Sequence, residues 1–166
     1  MEPSVVADVF AATLLVGAFV LATSLARPAL RRHVGRFGLI AAALVAVGAT
    51  SGSLYFSEVA GFNPCEMCWV QRIFMYPLAL ILPLAAVRRD RQVIPYALVI
   101  AVVGLGVSIY HTQLQLLPNQ STSCDLLNPC SSKWIEALGF ATIPMMAGMS
   151  FVLILVTLIA QARLSR

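Results

Sequence analysis

The chain of 166 residues is 60% hydrophobic and only 11% charged, against about 25% charged in ordinary soluble domains. This composition excludes a soluble globular domain and marks an integral membrane protein. The net charge of +4 does not point to nucleic acid, because nine of the eleven Lys and Arg side chains stand in short segments between apolar runs, where they report membrane orientation.

The first apolar run, Ser4 to Ala26, is long enough to span about 30 Å of hydrocarbon. Its start is acidic (Glu2, Asp8) and its basic cluster follows it (Arg27, Arg31, Arg32, Arg36). That order is the reverse of a secretory signal, so the run is expected to be a retained helix with its N-terminus outside. A second span, Phe37 to Phe56, carries Gly48 and Gly52, a spacing that lets membrane helices approach closely.

The third span is expected from Cys65 to Val87, with Asn63 as N-cap, Pro64 in the first helical position and Glu66 completing a capping box. Pro77 and Pro83 are expected to kink it. Both thiols of Cys65-Glu66-Met67-Cys68 would then lie in a helical first turn, where unpaired N–H groups and the helix dipole favour thiolates. Arg72, four residues beyond Cys68, shares its face and can reach toward that sulfur. The turn Arg88-Arg89-Asp90-Arg91 leads to a fourth span, Ile94 to Leu116, with Pro95 near its first turn and Pro118 and Asn119 closing it.

Residues Leu117 to Gly139 form the only sizeable polar segment, holding Cys124, Cys130, Lys133 and Glu136. The stretch from Asn128-Pro129-Cys130 through Trp134, Ile135 and Leu138 predicts a short amphipathic helix along the interface. Its Asn-Pro-Cys start repeats the first cysteine site. Trp69 and Trp134 are expected to be interfacial anchors. The last span runs from Thr142, with Pro144 in its first turn, to Ala160 and ends in Arg163 and Arg166. The expected fold is therefore an all-α integral membrane protein, a four-helix transmembrane bundle over residues 37–166 with one additional N-terminal helix and a basic loop in residues 1–36.

Orientation follows from the basic residues. Arg27, Arg31, Arg32, Arg36, Arg88, Arg89, Arg91, Arg163 and Arg166 come after spans one, three and five, whereas the opposite side holds only Lys133. The positive-inside rule makes the first set cytoplasmic. Both cysteine pairs then face outward, into a compartment where disulfides form and persist. Two pairs on one face permit a relay in which a thiolate attacks a disulfide and the electrons pass to the next pair. Two bland readings stand beside it: a zinc site on four thiolates at C-x2-C and C-x5-C spacing, and two static structural disulfides. Zinc needs no intramembrane Arg, and the strain of a C-x-x-C bridge favours turnover over permanence. Arg72 by itself could be a snorkelling side chain, and His111 by itself a packed, hydrogen-bonded one.

Three motifs together resemble the bacterial disulfide bond formation protein B (DsbB) family, including its shorter Gram-positive relatives. They are Pro64-Cys65-Glu66-Met67-Cys68 with Arg72, the run Tyr110-His111-Thr112-Gln113-Leu114-Gln115, and Cys124-Asp125 followed by a second cysteine. The resemblance covers about Phe37 to Arg166. It implies an enzyme of the bacterial cytoplasmic membrane that reoxidises an extracytoplasmic, thioredoxin-like (DsbA-like) thiol oxidase and passes the electrons to a quinone, ubiquinone or menaquinone. Carried onto this chain, it implies that Cys124 receives the partner's thiolate, with Cys130 as its loop partner. Cys65 exchanges with the loop pair and Cys68 stands beside the quinone. Arg72, His111 and Gln115 line the quinone side. No metal or flavin is required by these residues. The chain departs from the resemblance in its fifth span and in a shorter loop between Cys124 and Cys130. A vitamin K epoxide reductase type enzyme would carry its loop cysteines ahead of the C-x-x-C, the opposite order. A transporter of reducing electrons would need thiols on the cytoplasmic side.

Overall fold

The computed structural model describes residues 2–117, 124 and 128–164. Five helices among them are long and apolar enough to cross a membrane: α1 (Pro3–Ala26), α2 (Pro28–Leu54, continued by a π-helical turn over Tyr55–Val59), α3 (Glu66–Arg88), α4 (Ile94–Leu116) and α5 (Ile143–Leu164). Pro118, Asn119, Asp125 and Arg166 lie outside the described residues.

Arg27 alone separates α1 from α2. A proline pushes the residue before it out of the α region, and Arg27 is accordingly extended, with Pro28 opening α2. The second span therefore starts well before Phe37, and Arg31, Arg32 and Arg36 ride on helix rather than in a loop. Proline at the first position and arginine, a good helix former, account for the early start. Arg31 Nε donates to Leu25 O at 2.7 Å, tying the two helices where they meet.

The bundle core lies between α2, α3, α4 and α5, built from Leu39, Ala42 and Ala46, from Met75, Leu78 and Leu82, from Ala97 and Ala101, and from Phe151, Ile154 and Leu158. The fully buried Phe151 ring lies so close to the α4 backbone at Gly104 that a methyl group there would collide with it. Buried hydroxyls on α5 are satisfied within their own helix, Ser150 by Met146 O and Thr157 by Leu153 O, a common solution for serine and threonine in membrane helices. Gly52 faces the ring of Phe10 on α1, whereas Gly48 has no neighbour where a side chain would point. Only the former serves close packing.

At the arginine-rich end, Arg89 adopts a left-handed conformation that caps α3, its N–H directed at Ala85 O and Ala86 O. Asp90 Oδ1 then accepts from Gln92 N, and the chain turns into α4. Arg36 from α2 and Arg89 and Arg91 from this turn border one cavity with Gln161 of α5, so the arginines gather at one end of the bundle. The described cysteines lie at the other.

The amphipathic helix expected from Asn128 to Leu138 does not form. Residues 128–142 are turns, and Ala137 and Ala141 exchange two backbone hydrogen bonds of 2.8 Å around Leu138 and Gly139, both at positive φ. Neighbouring side chains capture the backbone groups a helix would have used: Gln115 Nε2 donates to Ser132 O, and Asp8 Oδ1 accepts from Leu138 N at 2.7 Å. The segment is held down by stacking of Trp134 on Phe62 and of Phe62 on Phe56. Trp134 and Trp69 are both about half exposed, Trp134 with one face on Phe62 and Trp69 with one face under the Arg72 guanidinium.

Candidate active site

The residue that organises the thiol end is Cys65, and it sits one step outside the helix expected to contain it. α3 begins at Glu66 with Cys65 as its extended N-cap, and no side chain caps it. Asn63, expected in that role, instead offers its carbonyl to Asn128 Nδ2 at 3.4 Å. The start falls two residues later than expected, with Cys65 extended and buried against Leu114 of α4 and Cys130 of the loop. Cys68 alone therefore occupies the helical first turn.

The thiols of Cys65 and Cys68 are free and their sulfurs lie 3.2 Å apart, whereas Cys124 and Cys130 are joined in a disulfide. His111, almost fully buried on α4, links the pairs. Its Nε2 is 3.5 Å from Cys65 Sγ and 3.2 Å from Cys130 O, and its Nδ1 is 3.4 Å from Gln71 Oε1. Gln71 in turn donates to Ser108 Oγ at 2.9 Å. The hydrogen bond from Cys68, opposed by burial and aided by His111, lowers the Cys65 thiol from its ordinary 9.0 to about 4. Within each pair one sulfur is hidden and the other accessible: Cys65 and Cys130 are buried, Cys68 and Cys124 half-buried.

Arg72 is buried, which a snorkelling side chain would not be. It turns toward α2: Nε donates to Ser53 Oγ and Nη2 to Ser53 O, both at 2.9 Å, with the guanidinium carbon 4.9 Å above the Trp69 ring. Beside it, between α1, α2, α3 and α5, is a mainly apolar cavity of about 50 Å³ bordered by Ser53, Arg72, Met75, Tyr76, Met146 and Phe10 among others. Neither His111 nor Gln115 borders it. His111 faces the thiols and Gln115 the loop. Cys68 is likewise absent from the wall, standing one turn nearer the start of α3 than Arg72 on the same helix face.

Tyr76 was not among the residues singled out from the sequence. It borders the cavity, and its buried hydroxyl has no hydrogen-bond partner among the described residues. The stripe Cys68, Arg72, Tyr76, at successive steps of four, is the signal that could have exposed it. An orphaned donor and an arginine beside an apolar space suit a ligand that is apolar but carries carbonyl oxygens. For a metal, Cys65 Sγ, Cys68 Sγ and a His111 nitrogen come within 4.8 Å of one another. Among the described residues that is one ligand short of a structural zinc site.

The sequence model of the family described as "Disulfide bond formation protein DsbB" matches residues 35–162. The chain belongs to the DsbB family. It is 46% identical over 120 residues to disulfide bond formation protein C of Bacillus subtilis (strain 168), covering 71% of this chain and 87% of that protein. A probable disulfide formation protein of Deinococcus radiodurans is 44% identical over 125 residues, 69% of this chain and 82% of that one. The SPbeta prophage-derived disulfide bond formation protein B of Bacillus subtilis (strain 168) is 38% identical over 124 residues, 74% and 83% of the two chains. No solved structure matches. A DsbB-type helical membrane protein acting in disulfide bond formation is thereby shown. The family match begins inside α2, so α1 lies outside it.

Proposed function

We propose that the chain is a thiol:quinone oxidoreductase that reoxidises an extracytoplasmic, DsbA-like thiol oxidase. The observation that carries the reading is the gathering of both cysteine pairs about His111 at one end of the bundle, with the cavity of Arg72 and Tyr76 one turn further in. The positive-inside bias turns that end outward.

The relay closes with atoms and electrons balanced. A partner thiolate attacks Cys124 Sγ, the more accessible sulfur of the loop disulfide, and Cys130 leaves as thiolate. Cys130 Sγ attacks Cys65 Sγ of an oxidised Cys65–Cys68 pair, expelling Cys68. The partner's second thiolate breaks the mixed disulfide at Cys124 and departs oxidised. Cys124 then attacks Cys130, which re-forms the loop disulfide and leaves Cys65 and Cys68 reduced. This last state corresponds to the observed pairing, with the loop closed and the helix thiols free. His111 Nε2, beside Cys65 Sγ, is positioned to exchange a proton with it. Arg72 and Tyr76 supply hydrogen bonds to an acceptor's oxygens. The Cys65–Cys68 dithiol would give its two electrons and two protons to a quinone held there, re-forming the Cys65–Cys68 disulfide as the quinone leaves as quinol.

The test is purification and an assay of quinone reduction driven by a reduced thioredoxin-like oxidase, together with labelling of intact cells by a membrane-impermeant maleimide after reduction. Quinol formed in proportion to oxidised partner, and thiols labelled from outside, are the expected results. Thiol exchange with the partner that never reaches a quinone would remove the acceptor assignment. Cysteines that react only once the inner face is exposed would reverse the orientation.

A further inference from the structure

We infer that α1, the helix outside the family match, is a wall of the acceptor site, and that the ring of Phe10 is the surface against which the acceptor's ring lies. The inference rests on the quinone reading and adds to it a residue and a helix that the family match does not contain.

α1 docks through one face. Ala7, Ala11 and Leu14 are buried at steps of four and three and cluster with Phe56, Met146 and Leu153. The two alanines permit a close approach. Phe10 belongs to the same face and lies against α2 at Gly52, where an added methyl would meet its ring carbons at 3.5 to 3.7 Å. From there the ring borders the cavity that Ser53, Arg72 and Tyr76 border from α2 and α3. The polar groups thus stand on the bundle helices, and α1 brings an aromatic face to them.

A cavity of about 50 Å³ does not hold a substituted quinone ring, so a wall must yield. Among the five helices α1 is the least enclosed, with 17% of its apolar window buried against 56% for α5. α1 is therefore the wall that moves most cheaply. Asp8 Oδ1, two residues before Phe10, accepts from Leu138 N in the turn after the loop cysteines, so this end of α1 keeps its register and the yielding falls to the Phe10 ring and the helix beyond it. Asp8 is a positioning residue in this scheme. Phe10 touches the acceptor.

The experiment uses the full chain in detergent micelles with a short-chain benzoquinone and reduced partner. Phe10→Ala is expected to raise the quinone KM about tenfold, the scale of losing an aromatic contact, while the partner's exchange with the loop disulfide keeps its rate. Phe10→Tyr retains a ring and should restore the KM. Should Phe10→Ala disturb folding, the wild-type chain can be irradiated with an azido-benzoquinone. Label on the peptide carrying Phe10, competed away by unlabelled quinone, supports the wall. A wild-type chain that reduces quinone with label confined to α2, α3 and α5, or an unchanged KM in folded Phe10→Ala, overturns it. A wild-type chain that reduces no quinone defeats the acceptor reading itself, a separable result.

Discussion

The two cysteine sites open on the same words. Asn63-Pro64-Cys65 and Asn128-Pro129-Cys130 each have a tryptophan four residues after the cysteine, Trp69 and Trp134. In both the Asn-Pro-Cys cysteine is buried and its partner is more accessible. The intervening residues separate the two sites. After Cys65, Glu66-Met67-Cys68 continues into α3, which places a second sulfur on a helix face above Arg72 and Tyr76. After Cys130, Ser131-Ser132-Lys133 continues into turns, and the second sulfur comes from a position six residues earlier. One tripeptide thus buries a sulfur in either setting, and the segment after it decides whether the second sulfur stands on a helix or in a loop.

The largest expected effect comes from breaking the loop site. Cys130→Ser leaves Cys124 without its partner, so turnover should fall to background and a mixed disulfide with the thioredoxin-like oxidase should accumulate on non-reducing gels. Mass spectrometry locating that adduct at Cys65 would exchange the roles of the two sites.

Arg72 belongs to the helix site alone. Arg72→Met retains length and removes the cation, with an expected rise in quinone KM of roughly tenfold to hundredfold, the worth of a charge-assisted hydrogen bond of about 1.5 to 3 kcal/mol. Stopped-flow measurement of the two half-reactions should find the partner's exchange with Cys124 unaltered. Unchanged quinone kinetics in a folded variant would reduce Arg72 to a bundle-packing residue tied to Ser53.

A smaller loss is expected for Tyr76→Phe, about fivefold in quinone KM, from one neutral hydrogen bond of about 1 kcal/mol. An acceptor that binds Tyr76→Phe as tightly as wild type would leave that hydroxyl without a role.

The last effect concerns pH. The folded reduced chain holds Cys65 at about 4 against an ordinary 9.0. Its stabilising contribution is therefore full above pH 9 and drains away as pH falls toward 4. His111→Phe removes a hydrogen bond and a favourable charge, so the Cys65 titration should move upward. Thiolate ultraviolet absorbance measured against pH reads this directly, and an unmoved titration in the variant would detach His111 from the thiols.

Much of this molecule is readable before folding. Apolar runs flanked by arginines locate all five helices, and the fourth is bounded by Ile94 and Leu116 as expected. Local rules failed where distant contacts compete with them. Asn63 and Glu66 make a sound capping box by spacing, yet burial of Cys65 against α4 takes the cap. Asn128 to Leu138 has the composition of an interfacial helix, yet Gln115 and Asp8 lie 17 and 130 residues from the backbone groups they bind. Arg72 was conspicuous because a charge in an apolar run is costly. Its partner Ser53, the unpaired hydroxyl of Tyr76 and the place of Phe10 are properties of helix packing, which no window along the chain contains.

Arg27, the single residue between α1 and α2, has a consequence for dilution. A wall of the cavity supplied by a separate subunit would depend on its abundance in the bilayer and would be lost as lipid was added. A helix joined through one extended residue to the helix it packs on is held at a high effective concentration whatever the lipid ratio, with little loop entropy lost in docking. The geometry beside Arg72 should therefore be the same in a crowded membrane and in a micelle holding one copy of the chain.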